Sequence, residues 1–104
     1  MVPDALLQAL KALSDPTRLR ILYYLSGESL SPADLARRLR LRLPTVTHHL
    51  KTLRLAGLVR LTLGEGKVTK RYAVRPAAVD GTFAALQRFL ARDGLESDEE
   101  AGVV

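Results

Sequence analysis

The chain predicts a mainly α fold closed by a β-hairpin and a last helix, on three observations. Helix-start signals precede apolar residues at helical spacing four times in the first half of the chain. Two β-prone runs then flank a glycine-bearing loop, Gly64-Glu65-Gly66-Lys67. A further apolar stripe at helical spacing follows them. The predicted order is α-α-α-α-β-β-α. In a chain of 104 residues this makes one domain over 1–92, with an acidic tail over 93–104 that composition predicts to be disordered.

The first helix is expected over 3–13. Pro3 suits a first turn, and Leu6, Leu7, Leu10 and Leu13 recur at helical spacing. Ser14-Asp15-Pro16 restarts a helix, with Asp15 as cap and Pro16 at the first helical position, and Gly27 ends it. Its apolar positions read as Leu19, Leu22, Tyr23 and Leu25. Ser31-Pro32-Ala33-Asp34 resembles a capping box with aspartate in place of glutamate, opening a short helix to about Leu39. The fourth helix is expected from Pro44 to just before Gly57, a natural residue for a helix end. Val46, His49, Leu50 and Leu53 would face the core, and Thr47, His48, Lys51 and Leu55 the other side. Leu58–Leu63 and Val68–Val74 form the hairpin. Pro76 breaks the second strand, and Asp80 can cap a last helix to about Arg92. In that helix Val79, Phe83, Leu86 and Leu90 are spaced as a packing seam.

Charge narrows the function. The net charge is +5, but from Arg37 to Arg75 eleven Lys or Arg stand against the single acid Glu65, while Asp93 to Glu100 holds five acids and no base. A basic block of this density points to a polyanionic partner. The absence of cysteine excludes disulfides, thiolate metal sites and thiol redox sensing. The first residues do not read as a signal peptide, and no apolar run approaches membrane-spanning length. The expected setting is the cytoplasm.

This element order is that of a winged helix-turn-helix, whose pair is Ser31–Leu39 and Pro44–Ala56. The second helix of such a pair lies in the major groove of double-stranded DNA. Thr45, Thr47 and His48 near its start are placed for base edges, with Pro44 beside them in the expected DNA-binding set, and Lys51 and Arg54 for phosphates. Arg40 and Arg42 add phosphate-seeking charge in the turn. Lys67, Lys70 and Arg71 make a basic wing.

Two stretches add a resemblance. ALSDPTRLRIL, Ala12 to Leu22, and LARRLRLRLPTVTHHLKTLRLAGLV, Leu35 to Val59, resemble the ArsR family of dimeric repressors. The resemblance runs from about Ala5 to Leu90. It implies a homodimer built on the first and last helices, here Leu6, Leu10 and Leu13 with Val79, Phe83, Leu86 and Leu90, on a twofold-related operator. Three positions depart from the family's usual residues. Arg40 replaces a turn glycine, and positive φ there would cost on the order of 1 kcal/mol. Arg42 replaces a capping serine. Leu43 replaces a polar residue, and leucine can touch a thymine methyl but cannot donate to a base edge.

The family's metal sensors place cysteines near the third helix or histidine-acid sets in the last. Here ESLSPADLARRL has no thiol and DGTFAALQRFLARD no histidine, so no metal and no cofactor are expected. His48 and His49 point about 100° apart on a helix and cannot readily share one ion. His49 reads as a core residue with a backbone partner, His48 as a DNA contact. A small-molecule effector, a protein effector or none would fit. The alternative function is a winged-helix protein-interaction module, favoured by the leucines at 43 and 55. Catalysis is not expected, since both histidines lie on one short helix and no phosphate-cradling glycine loop occurs. RNA binding is possible on charge alone, without the usual aromatic platform.

Overall fold

The computed structural model describes residues 1–63 and 69–91. Within these, α1 spans Asp4–Leu13, α2 Pro16–Leu25, α3 Pro32–Leu39, α4 Leu43–Leu55, β1 Val59–Leu63, β2 Lys70–Val74 and α5 Pro76–Ala91. The order is the predicted one. The hairpin loop with Lys67, the first strand residue Val68, the helix-end Arg92 and the acidic tail lie outside the described residues.

The helix boundaries follow from local chemistry. The Asp15 carboxylate accepts from the Arg18 N–H at 3.0 Å and Pro16 follows at the first helical position. At α3 the capping box is complete: the Asp34 N–H donates to Ser31 Oγ, and the Ser31 N–H to the Asp34 carboxylate, each at 3.1 Å. In both caps the ionised carboxylate is the stronger acceptor. The donated backbone N–H groups lower the pKa of Asp15 and of Asp34 below the ordinary value.

The two helix ends that frame the helix-turn-helix are built alike. After α3 the Leu41 N–H donates to the Ala36 carbonyl and the Arg40 N–H to that of Arg37. After α4 the Leu58 N–H donates to the Leu53 carbonyl and the Gly57 N–H to that of Arg54. Each is a Schellman closure, which needs one left-handed residue. Gly57 takes that role at φ 77°, and Arg40 takes it at φ 57°.

One core gathers Ile21, Leu25, Leu35, Leu39, Val46, Leu50, Leu53, Leu58 and Val59. Each fully buried aliphatic side chain contributes about 1.5–3 kcal/mol. The strands pair antiparallel, Val59 opposite Val74, Leu61 opposite Tyr72 and Leu63 opposite Lys70. Leu30 adds an antiparallel bridge to Tyr72, with reciprocal N–H···O bonds of 3.0 and 2.8 Å. This ties the wing to the entrance of α3.

Three expectations are corrected. The last helix starts at Pro76, not after Asp80, because the Arg75 carbonyl already accepts from the Ala78 and Val79 N–H groups. Asp80 is therefore an exposed residue inside α5, not its cap. In α2 the buried positions are Ile21 and Leu25, whereas Leu19 and Tyr23 are 50% and 74% exposed. The helix packs on its Ile21–Leu25 face, so the Leu19–Tyr23 pair, two positions and so about 200° away, turns to solvent. The fourth helix begins at Leu43, with Arg42 in the cap position and no side-chain cap bond.

Candidate nucleic-acid interface

Helix α4 is amphipathic in the way its sequence requires. Val46, Leu50 and Leu53 are buried, while Pro44, Thr45, Thr47, His48, Lys51, Arg54 and Leu55 are exposed. Thr47, His48, Lys51 and Leu55 form one outward stripe, and the helix holds no acidic residue. Arg40 and Arg42 stand exposed in the turn before it. Among the described residues the ion pairs are Arg37 with Asp34 and Arg38 with Glu28. The cations of the turn and of α4 enter neither pair.

The positive end of α4 is carried more by side chains than by bare N–H groups. Pro44 has no donor, and the Thr45 and Val46 N–H groups both bond the Arg42 carbonyl. The exposed positive charge at this end is that of the Arg40 and Arg42 guanidiniums.

On the wing, Lys70 is exposed. Arg71 is half-buried and already engaged: its Nε donates to Ser29 Oγ at 3.2 Å and its Nη2 to the Ser29 carbonyl at 2.8 Å. It therefore pins β2 to the loop before α3. The sequence alone gave no sign of that partner, which lies 42 positions away.

The two histidines have separate environments. His48 is exposed and its ring lies 5.7 Å from that of His49. His49 is half-buried, and its partner is a side chain, not the backbone group expected: Arg18 Nη1 lies 3.2 Å from His49 Nδ1. A guanidinium only donates, so Nδ1 accepts and the ring proton sits on Nε2. Burial pushes the His49 pKa below the ordinary imidazole value. The Asp15 charge opposes this, and Arg18 and His48 add to it. Arg18 lies within the stretch ALSDPTRLRIL, and nothing in that stretch pointed to His49 as its partner. Among the described residues no group of three His, Asp or Glu could hold a metal ion.

The stripes expected to meet a second chain sit on α1 and α5, which pack on each other. Leu6 is buried, Leu10, Leu13, Val79 and Leu86 are half-buried, and Phe83 and Leu90 are 53% and 64% exposed. Leu13 and Val79 pack on the core, so part of the seam is used within the chain. Leu7 and Phe89 are exposed apolar neighbours that the seam pattern did not include.

Comparison with known proteins agrees with this geometry. A helix-turn-helix domain family matches residues 13–62. The transcriptional repressor SdpR of Bacillus subtilis is 39% identical over 49 residues, 47% of this chain and 54% of SdpR, so the match spans about half of that repressor. An ArsR-like transcriptional regulator from Rhodococcus superposes with a TM-score of 0.71 at 31% identity, over 95% of this chain and 88% of its own. The homodimeric winged helix-turn-helix DNA-binding domain of Mb0332 from Mycobacterium bovis, a possible ArsR-family regulator, gives a TM-score of 0.68 at 25% identity, over 90% and 84%. Fold, helix-turn-helix geometry and similarity along nearly the whole chain agree: the protein belongs to the ArsR-like family of winged helix-turn-helix transcriptional regulators.

Proposed function

We propose that the chain binds double-stranded DNA as a homodimer and represses transcription, with α4 in the major groove. The observation that carries this reading is the outward face of α4. Thr47 and His48 offer hydrogen-bonding groups, Lys51 and Arg54 offer cations, and Arg40 and Arg42 extend the charge, all exposed and with no acid on the helix. Lys70, with Lys67 beyond the described residues, makes the wing a second phosphate contact. Arg71 shapes the wing rather than reaching out from it.

The dimer forms through α1 and α5. Phe83, Phe89 and Leu90 on α5 and Leu7 on α1 are exposed and apolar. Exposed apolar side chains on these two helices suit a second copy of the same surface. The similarity to a homodimeric DNA-binding domain supports this. Among the described residues no helix is long and apolar enough to cross a membrane, and the proposed setting is the cytoplasm. The relatives are regulators, and we assign the chain no catalytic role. Its effector is a small organic molecule, a protein or none, rather than a metal ion.

One observation favours a second reading, a protein-interaction module: Leu43 and Leu55 are 48% and 65% exposed on or beside the α4 face. Selection of bound duplexes from random sequence separates the two. The first reading expects a palindrome with half-sites about one helical turn apart. It also expects Thr47→Ala and His48→Ala to change the selected bases, and Lys51→Ala to weaken all duplexes alike. Failure to enrich any duplex favours the second.

A further inference from the structure

One side chain, Arg18, joins the helix proposed for dimerisation to the helix proposed for DNA. From α2 its Nε donates to the Ala12 carbonyl at 2.7 Å and its Nη2 to the Lys11 carbonyl at 3.1 Å, both at the end of α1, where the Lys11 carbonyl also accepts from the Ser14 N–H and hydroxyl. A cation there is also favoured by the α1 dipole. The third nitrogen, Nη1, reaches His49 Nδ1 on α4 at 3.2 Å. The planar fork fixes all three directions at once. The C-terminal end of α1 and the inner edge of α4 are thus held at one angle by one guanidinium.

We infer that Arg18 is a positioning residue for DNA docking, fixing α4 against α1 through a neutral His49 that must accept its third hydrogen bond. This rests on the proposed DNA reading and goes beyond it. In a dimer built on α1 and α5, the α1–α4 angle sets the separation of the two α4 helices, so the joint bears on operator fit. The joint also has a built-in condition. Protonated His49 has no acceptor and places a second positive charge beside the guanidinium. The groups bearing on the His49 charge are Arg18 from α2, Asp15 at the α2 cap and His48 on α4. Asp15 favours the proton, while Arg18, His48 and burial oppose it, so the joint holds at neutral pH and opens in acid.

Two measurements test this. The first needs no DNA. Long-range 1H–15N NMR of the full chain should show neutral His49 as the Nε2–H tautomer. As the ring titrates below its ordinary pKa of about 6.5, the Arg18 guanidinium and the amides at the end of α1 should shift with the same midpoint. An Nδ1–H tautomer, or α1 amides indifferent to that titration, overturns the inference.

The second uses a duplex selected at about pH 7.5 and compares wild type with His49→Asn, whose amide oxygen accepts without titrating. Both keep His48, so effects common to the two chains divide out of the ratio of affinities. The ratio should stay near one in neutral buffer and turn against wild type by about three- to tenfold near pH 5. Arg18→Lys, which keeps the charge but not the fork, should weaken binding at both pH values with an unchanged helical circular dichroism spectrum. Parallel pH profiles for wild type and His49→Asn would overturn the inference while leaving DNA binding intact. If no duplex is selected at all, the DNA reading fails, and the NMR result alone decides whether the joint exists.

Discussion

Arg40 occupies the left-handed region at φ 57°, ψ 46° because the Schellman closure of α3 leaves no alternative. An L side chain there costs about 1–2 kcal/mol, and glycine avoids the cost but loses more chain entropy on folding. Arg40→Gly should therefore raise stability by up to about 1 kcal/mol, read from the denaturation midpoint, and at the same time weaken binding to every duplex by removing a cation beside α4. An unchanged affinity would take Arg40 out of the interface. The residue is thus kept where it strains the backbone, as expected if its charge serves the partner. The sequence marked this position, since the turn spacing falls on it. The same spacing could not reveal Arg18 as the partner of His49, because a contact between positions 31 residues apart depends on how the helices pack.

The helices themselves respond to acid through their caps. The Asp15 and Asp34 carboxyls accept backbone N–H bonds more strongly when ionised, and both titrate lower in the folded chain than in the unfolded one. Their stabilisation is present above the unfolded value of 3.8 and is lost as pH falls through the folded pKa. His49 acts earlier. Its folded pKa lies below 6.5, so the unfolded chain takes up the proton first and stability begins to fall as pH drops through that value. Thermal melts against pH should show two descending steps. Asp34→Asn should flatten the lower step and His49→Asn the upper one, and curves identical to wild type would remove these groups as the cause. Ser31→Ala should cost about 1 kcal/mol by opening the capping box. Caps of this kind were readable in the sequence, because Ser31-Pro32-Ala33-Asp34 and Asp15-Pro16 fix their own partners within three residues. The start of α5 was not. Asp80 offered a familiar cap, yet Pro76 continued directly from β2 through the Arg75 carbonyl. The buried face of α2 was misread for a related reason. Leu19 and Tyr23 share a helical face as well as Ile21 and Leu25 do, and only the neighbouring helices choose between them.

At the scale of the molecule, the proposed recognition requires two copies of α4 held at a fixed separation. Phe83 is exposed on α5, so Phe83→Glu should leave the chain folded by circular dichroism while shifting it to a monomer in sedimentation. Binding to a palindromic duplex should fall with it. A dimer that survives this change would move the interface off α5. The basic block was plain in the sequence as eleven cations against one acid, but its division of labour was not. Arg71 pins the wing to Ser29, Arg37 and Arg38 pair with acids, and Arg40, Arg42, Lys51 and Arg54 remain turned outward. The central claim is that these outward cations, displayed twice, dock on a duplex. The most direct measurement is a binding titration of the full chain on a selected palindromic duplex across a series of salt concentrations. The account predicts two chains per duplex and a logarithm of affinity that falls linearly with the logarithm of salt, by about 0.9 for each phosphate neutralised. A chain that leaves the duplex unbound at the lowest salt, or an affinity indifferent to salt, would contradict it.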